Sequence, residues 1–322
     1  MVKLDPETIE LHHALGNLFS RRGEFDRAVR IHNHLFNRAD LSNSERSLAL
    51  YELGQDYLKA GIFDRAEEGF NRLMNEPEYR LDAMRALLKI FCTEKEWFKA
   101  IEMAARLEKE AGENHQIDVA HYYCELADGA LRQKKLEEAK EFLKQALNSD
   151  RQSVRALIAL GDIAMLEQNA ELALSYWTRV EQVSPDHMAL VIARMAQAYE
   201  QIGQHDQATN IVHRALSDYP GPETLLIASE FIAKTEGPQA AQHLLKEALT
   251  NNPNLLAFEL LAEMRLKERP DDVELQLLVK LLKPEVSRIG RYQCTHCGFQ
   301  ARSFQWSCPG CSSWGSYPPK RY

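Results

Sequence analysis

The chain has 322 residues, of which 45% are hydrophobic and 27% charged, with a formal net charge of −8 at pH 7. This length exceeds that of one ordinary compact domain, so two domains or a repeat array is expected, and without a run of 18 apolar residues no membrane span is expected. Residues 284–322 carry +4 and residues 1–283 carry −12, and this acidic body disfavours nonspecific binding of nucleic acid.

Small residues recur with a regular spacing through residues 1–283. Alanines are separated by 33 to 39 residues, and a Leu-Gly pair or a close variant precedes several of them by twelve residues. This period is typical of the tetratricopeptide helix–turn–helix unit, in which small residues let two helices approach closely. A non-repeating helical bundle would not keep this phase. We therefore predict an all-α tetratricopeptide-repeat solenoid over residues 1–283, with about seven repeats plus capping helices. The recurring alanines are Ala28, Ala66, Ala100, Ala139, Ala173, Ala208 and Ala241.

Prolines indicate where the units end. Pro185, Pro220 and Pro253 each follow an anchoring alanine by twelve residues and are expected to end the second helix of a unit. Pro6 has a similar spacing to the Leu-Gly pair that follows it, so the sequence is expected to begin inside a longer array.

The face lined by the first helix of each unit is the predicted partner-binding groove. Its mixture of charged and apolar side chains suits a peptide segment or a partner helix. The paired asparagines of a carboxylate clamp are missing. The predicted groove residues are Arg85, Lys89, His121, Asp128, Arg155 and Asp162, with Cys92 and Cys124 among their neighbours.

No catalytic signature is found in the repeats. The sequence lacks a P-loop, GxGxxG and GxSxG, and its histidines do not form HExxH, so we predict that the protein is not an enzyme. Cys92 and Cys124 are interpreted as small hydrophobic or groove-lining residues rather than nucleophiles. Surface or groove positions are expected for the four histidines of the first repeat, which are His12, His13, His32 and His34.

Two further helices are predicted after the last repeat. The first covers residues 254–267, and the second covers residues 273–282 and is expected to end at Lys283-Pro284. Residues 284–292 are then predicted to be a linker.

Residues 293–322 are predicted to form a small metal-binding module. Two CxxC pairs, Cys294/Cys297 and Cys308/Cys311, are ten residues apart and can bring four thiolates to one tetrahedral ion. One metal ion is expected, with zinc favoured and iron as the alternative, in a closed structural site. His296 is interpreted as an exposed loop residue. The module core is expected to consist of Phe299, Phe304, Trp306, Trp314 and Tyr317.

Several sequence runs together resemble the lipopolysaccharide assembly protein B family. They are HHALGNLFSRRGEFDRAVRIHNHLF, RSLALYELGQDYLKAGIFDRAEEGFNRL, DVAHYYCELA and RYQCTHCGFQARSFQWSCPGC. The resemblance implies a Gram-negative tetratricopeptide protein with a C-terminal rubredoxin-type module that packs against the repeats. It also implies Cys294, Cys297, Cys308 and Cys311 as metal ligands.

The resemblance further implies a non-enzymatic adaptor in the regulation of lipopolysaccharide synthesis. Such proteins promote degradation of the committed-step lipid A deacetylase by the membrane AAA+ protease FtsH. They have their repeats and module on the cytoplasmic face of the inner membrane, held there by one N-terminal helix, which is absent from this sequence. A homodimer is compatible with the sequence.

A nucleic-acid-associated zinc-ribbon protein is the alternative function. The tail also resembles the zinc ribbon at the start of bacterial RadA-type repair ATPases, whose aromatic and arginine side chains could contact bases and phosphates. The acidic body and the lack of an ATPase domain disfavour this alternative, so no nucleic-acid partner is expected.

Overall fold

The computed structural model describes residues 6–321; residues 1–5 and Tyr322, which belong to the predicted domains, lie outside the described residues. Over residues 6–321 the chain forms sixteen α-helices, one 3₁₀ helix and two short strands. The chain divides into two units, one up to Leu126 and one from Ala127 onward.

The first unit consists of consecutive helices that pack as hairpins, α1 with α2, α3 with α4 and α5 with α6. Close packing depends on small residues where the helices meet. A Cβ atom on Gly54 would lie 3.0 Å from the ring of Phe70, which is fully buried. The helices are α1 Pro6–Arg21, α2 Phe25–Phe36, α3 Asn43–Lys59, α4 Phe63–Leu73, α5 Arg80–Glu94, α6 Trp97–Ala111 and α7 Gln116–Arg132, the last of which ends in the second unit.

The second unit continues with hairpins of the same kind and has its largest apolar core around Trp177. Its helices are α8 Leu136–Ser149, α9 Val154–Leu166, α10 Ala170–Val183, the 3₁₀ helix Pro185–Leu190, α11 Ile192–Gln201, α12 His205–Asp218, α13 Pro222–Thr235, α14 Pro238–Asn251, α15 Leu255–Glu268 and α16 Val273–Arg288. Helices α10, α12 and α14 end before Pro185, Pro220 and Pro253, as predicted. The predicted all-α fold class is confirmed.

The turns inside the hairpins require a left-handed backbone conformation. Gly23, Gly61 and Gly203 adopt it with φ near +75°, where glycine has no steric penalty. Lys134 and Gln168 occupy the corresponding turns of other units with φ of +61°. In this backbone conformation their Cβ atoms come close to the next carbonyl oxygen, which raises the conformational energy, and glycine avoids this because it has no Cβ.

The last helix does not end where the sequence suggests. We expected Lys283-Pro284 to end it, but Pro284 lies inside α16, which continues to Arg288. A proline in a helix leaves the carbonyl four residues earlier without its donor. Lys280, which carries that carbonyl, is exposed, so water can supply the hydrogen bond. Only residues 289–291 therefore separate α16 from the first strand, fewer than the predicted linker.

The C-terminal module contains two strands, β1 Tyr292–Gln293 and β2 Gln300–Ala301. They pair antiparallel, with Tyr292 opposite Ala301. Bridges from Tyr292 to Pro319 and from Ser307 to Trp314 close the remaining loops. Across residues 6–321, no helix has both the length and the apolar character needed to cross a lipid bilayer.

Candidate metal centre and its contact with the repeats

The four cysteines of the module meet at one point. All four Sγ atoms lie within 4.8 Å of one another, with 3.7 Å between Cys294 and Cys311 and 3.6 Å between Cys297 and Cys308. A tetrahedral ion with metal–sulfur bonds of about 2.3 Å requires sulfur–sulfur distances of about 3.8 Å. The spacing of the thiols therefore fits a four-thiolate metal site.

Hydrogen-bond donors surround the sulfur atoms. The backbone N–H of His296 donates to Sγ of Cys294, and that of Gly310 donates to Sγ of Cys308, each over 3.4 Å. The hydroxyl of Ser316 lies 3.3 Å from Sγ of Cys294. This hydroxyl, followed by backbone N–H groups, lowers the pKa of Cys294 to about 5. These contacts favour the thiolate, which is the form that binds metal.

The site is closed by its own ligands. Four thiolates complete a tetrahedral shell, which is the pattern of structural rather than catalytic sites. Cys294 and Cys308 are buried, whereas Cys297 and Cys311 are exposed at the module surface. The donor set fits zinc and iron alike, and either ion would hold the two knuckles together. His296 is exposed and its Nδ1 lies 2.9 Å from Oγ of Ser313, in agreement with its interpretation as a loop residue.

The core of the module differs from the predicted one. Tyr317 and Phe304 belong to it, as predicted, but Tyr292 completes it and Phe299 is 41% exposed. Tyr292 was not predicted as a core residue because it lies before the first cysteine of the module. The two tryptophans of the predicted core instead lie on the side of the module that faces the repeats.

Arg155 and His187 of the repeats contact these tryptophans. The guanidinium carbon of Arg155 lies 5.9 Å from the ring centroid of Trp306 and 5.7 Å from that of Trp314. The ring of His187 stacks on Trp306. Cation–π and stacking contacts of this kind stabilise a desolvated interface. Because of these contacts, Trp306 and Trp314 face the repeats, whereas a zinc ribbon that binds nucleic acid would present such rings to the bases.

Ion pairs at the ends of the module strengthen the same contact. Arg291 lies 2.8 Å from the carboxylate of Glu223, and Arg321 lies 2.9 Å from that of Asp186. At Gly221 the backbones meet closely, because a Cβ atom there would lie 2.3 Å from the carbonyl oxygen of Lys320. The module and the repeats of the second unit thus form a continuous packed body.

Three of the predicted groove residues, Asp128, Arg155 and Asp162, lie in the second unit, and Arg155 takes part in this packing. Arg155 is 5% exposed and donates to Asp128 over 2.6 Å, so the module covers the position that we assigned to a partner. Asp162 pairs with Arg194 at 2.9 Å, while burial raises the pKa of Asp162. Arg155 therefore contacts the module, and partner binding by Asp128 and Asp162 stays a prediction.

The other three predicted groove residues, Arg85, Lys89 and His121, lie in the first unit. Arg85 is half exposed and pairs with Asp82 and Glu113, and Lys89 is exposed. His121 is 6% exposed and belongs to the packed interior rather than to an open groove. Partner binding by Arg85 and Lys89 stays a prediction.

Of the two cysteines outside the module, Cys124 is buried and Cys92 is partly buried. Cys124 is 1% exposed, and Sγ of Cys92 donates to the hydroxyl of Tyr122 over 3.1 Å. Burial raises the pKa of Cys92, which disfavours a nucleophilic thiolate. Both observations agree with the interpretation made from the sequence.

The expectation for the first-repeat histidines is wrong at two positions. His32 is completely buried and His13 is 8% exposed, and both contact Glu52. This contact was not predicted from the sequence because the carboxylate of Glu52 comes from the next repeat, 20 residues after His32. His34 is exposed, as expected.

Comparison with known proteins identifies both parts of the chain. Residues 292–318 match the family described as rubredoxin metal binding domain, and residues 11–35 and 120–153 match tetratricopeptide repeat families.

Relatives of nearly full length are also found. Lipopolysaccharide assembly protein B of Escherichia coli strain K12 is 34% identical over 324 residues, covering 100% of this chain and 83% of that protein. The protein of the same name from Haemophilus influenzae is 32% identical, covering 96% of this chain and 79% of its own length. The solved C-terminal part of a tetratricopeptide protein from Cytophaga hutchinsonii aligns with a TM-score of 0.47 at 14% identity, covering 77% of this chain and 99% of that one.

Proposed function

The chain belongs to the lipopolysaccharide assembly protein B family, and we propose that it is a non-enzymatic adaptor that regulates lipopolysaccharide biosynthesis. In this proposal it promotes proteolysis of the committed-step lipid A deacetylase by the membrane AAA+ protease FtsH. It would act at the cytoplasmic face of the inner membrane, where both the protease and the deacetylase can be reached.

The observation that carries the proposal is the docking of a closed metal module onto the repeats. Arg155 and His187 of the repeats hold Trp306 of the module, so the metal centre stabilises a protein surface. A four-thiolate site has no ligand position for a substrate. This arrangement supports a role in binding partners rather than in chemistry.

One zinc ion is the proposed occupant of the four-cysteine site, with iron as the alternative. Zinc is redox-inert and prefers a closed tetrahedral shell of thiolates. Its proposed role is to hold the two cysteine knuckles together, so that Trp306 and Trp314 keep their positions against Arg155. The ion would then affect partner binding only through the folding of the module.

Reconstituted proteolysis tests the proposal. The purified full chain, attached to vesicles that contain FtsH, is mixed with the deacetylase and ATP, and the half-life of the deacetylase is measured. We expect a shorter half-life with the chain present and no change for an unrelated FtsH substrate. Equal half-lives with and without the chain, together with no capture of either protein, would contradict the proposal.

Matched variants distinguish the predicted groove from the rest of the surface. Arg85→Ala with Lys89→Ala removes two exposed positive charges from α5 and is expected to lengthen the half-life toward the value without adaptor. Lys144→Ala with Arg179→Ala removes two exposed positive charges from α8 and α10 and is the control. An equal loss with the control would point to a nonspecific charge effect.

A further inference from the structure

Two histidines and a glutamate meet where the first three helices pack together. His13 comes from α1, His32 from α2 and Glu52 from α3, and their ligand-capable atoms all lie within 4.8 Å of one another. Oε2 of Glu52 lies 3.0 Å from Nε2 of His32 and also contacts Nδ1 of His13. Two imidazole nitrogens and a carboxylate oxygen are a common donor set for zinc in proteins.

Packing alone does not explain a histidine at this position. In three units the residue sixteen positions after the helix-contact glycine packs onto that glycine. Two of these residues are Phe70, opposite Gly54, and Trp177, opposite Gly161. In the first unit His32 packs in the same way, and a Cβ atom on Gly16 would lie 2.3 Å from its Nε2. A largely apolar ring fills this space in the other two units, so the imidazole introduces a polar group that packing does not require.

Polar residues also replace apolar ones two positions before and two positions after the helix-contact glycine. Glu52 and Asp56 lie two residues before and after Gly54. The corresponding positions around Gly161 are Ala159 and Ile163. The cluster therefore has carboxylates on α3 where the later unit has apolar side chains on α9.

Neighbouring side chains orient the donor atoms. Oδ2 of Asp56, which is 1% exposed, lies 2.6 Å from Nδ1 of His32 and accepts a hydrogen bond from its N–H. This leaves Nε2 of the same ring as the atom that faces Glu52. The side-chain amide of Asn17 donates to Oε1 of Glu52 over 2.6 Å. A carboxylate behind a histidine is the usual outer partner of a metal-binding imidazole.

Burial and charge favour a cation in the cluster. His32 is completely buried, and among residues 6–321 the nearest acceptor of its Nε2, Oε2 of Glu52 at 3.0 Å, does not have hydrogen-bond geometry. With neutral histidines, Glu52 and Asp56 leave two negative charges in a largely desolvated place, which is costly unless a cation compensates them. A divalent ion matches this charge, as would protons on both His13 and His32, whereas a proton on His32 alone matches half of it.

We propose that His13, His32 and Glu52 bind one divalent transition-metal ion of the zinc class, through Nδ1, Nε2 and Oε2 respectively. Bonds of about 2.0–2.2 Å place neighbouring donors about 3.0–3.5 Å apart, which agrees with the 3.0 Å between Glu52 and His32. Asp56 positions His32 and is not a ligand. The side chains of His13 and Glu52 are 11% and 12% exposed, so the ion can enter from solvent and keep a water molecule as its fourth ligand.

Cobalt titration of the full chain tests this site. The metal-free chain is first given one equivalent of zinc, which the four thiolates bind more tightly than a site of two imidazoles and a carboxylate, and Co²⁺ is then added at pH 8 while absorption is recorded. We expect one further equivalent to bind, with visible bands of nitrogen and oxygen coordination and without the near-ultraviolet sulfur charge-transfer band. Zinc added afterwards should displace the cobalt.

Single substitutions assign the ligands. Glu52→Gln and His13→Gln should each weaken cobalt binding at least about tenfold, and Asp56→Asn should weaken it about 10- to 100-fold by releasing the orientation of His32. The control is His243→Gln, which removes an exposed histidine of α14. Circular dichroism verifies that each variant is folded, and His13→Gln, at the edge of the cluster, keeps the test valid if Glu52→Gln does not fold.

Three results would overturn the proposal. The first is a zinc-loaded wild-type chain that takes up no further cobalt, which would identify the cluster as a buried histidinium with two carboxylates. The second is binding of equal strength in wild type, Glu52→Gln and His13→Gln. The third is binding that disappears in a His12→Gln, His34→Gln variant while the cluster variants keep it, which would assign the ion to that pair, whose ring centroids are 6.4 Å apart.

Discussion

The imidazole of His187 lies nearly parallel to the indole of Trp306, with ring centroids 6.0 Å apart and an interplanar angle of 18°. His187 belongs to the 3₁₀ helix that joins two repeats, and Trp306 belongs to the metal module. Phe304 meets the same imidazole edge-on at 6.3 Å. The contact joins two parts of the chain more than a hundred residues apart, so its loss reports separation of the module from the repeats.

Acid should weaken this contact. Burial, opposed in part by the charge of Asp186, lowers the pKa of His187 to about 4, below its unfolded value of 6.5. As the pH falls, the unfolded state therefore takes up a proton on His187 more readily than the folded state does. The stabilisation of the folded state by neutral His187 is complete above pH 6.5 and is lost between pH 6.5 and 4. We expect a loss of about 1.4 kcal/mol for each pH unit in this window. Urea unfolding followed by tryptophan fluorescence measures it.

A substitution at His187 separates this effect from other acid titrations. His187→Gln cannot take up a proton, so its unfolding free energy should depend less steeply on pH than that of wild type. The comparison is made between pH 7.5 and 5.5. Parallel curves for the two proteins would show that His187 does not control the acid response.

Removing the charge of Arg155 should loosen the module. Arg155→Met keeps an apolar stem but loses both cation–π contacts and leaves Asp128, 39% exposed at its side chain, without this partner. We expect a loss of about 2 kcal/mol, measured by chemical unfolding at pH 7.5. Arg179→Met, at an exposed position of α10, is the control and should change stability by less than about 0.5 kcal/mol. Equal effects would argue against a specific contact.

Loss of a buried cysteine should unfold the module alone. In Cys308→Ser the fourth thiolate is missing, and metal binding supplies most of the folding free energy of so small a unit. Helical circular dichroism should stay close to wild type, while nuclear magnetic resonance signals of the module collapse to random-coil positions. Removal of the metal by a strong chelator should give the same spectrum. A module that keeps its dispersed signals without metal would contradict the structural role of the ion.

Two glycines should respond oppositely to alanine. A Cβ atom on Gly161 would lie 2.2 Å from Nε1 of Trp177, which is 1% exposed, so Gly161→Ala should destabilise the second unit by about 2–3 kcal/mol. Gly129 lies inside α7, where a new Cβ atom would be 3.8 Å from Nη2 of Arg132, an ordinary van der Waals distance. Gly129→Ala should therefore stabilise by up to about 1 kcal/mol. Thermal unfolding of both variants measures the difference.

A turn residue offers a stabilising substitution. Lys134 is exposed and has a φ of +61°, a conformation that glycine adopts without strain. Lys134→Gly should raise the unfolding free energy by about 0.5–1 kcal/mol, since relief of strain exceeds the added backbone entropy. Gln133→Gly, one residue earlier and outside the positive-φ set, should not stabilise. A lower melting temperature for Lys134→Gly would contradict this account.

The sequence by itself determined the features that depend on local spacing. The recurring alanines and the Leu-Gly pairs predicted the helical hairpins, because a small residue at a fixed interval sets where two neighbouring helices cross. The two CxxC pairs identified the four thiolates, because each pair folds into its own knuckle. Prolines such as Pro185 marked the ends of helices for a similarly local reason. Pro284 was the exception, since an exposed helix tolerates the missing donor.

Only the tertiary structure decided which distant side chains meet. Arg155 was expected in an open groove and lies under Trp306 and Trp314, because docking of the module depends on surfaces that no spacing rule describes. His32 and Glu52 meet because α2 and α3 present them to the same interior space, which depends on how both helices rotate about their axes. Periodicity predicts that helices pack; the packing itself determines where a buried charge finds its partner.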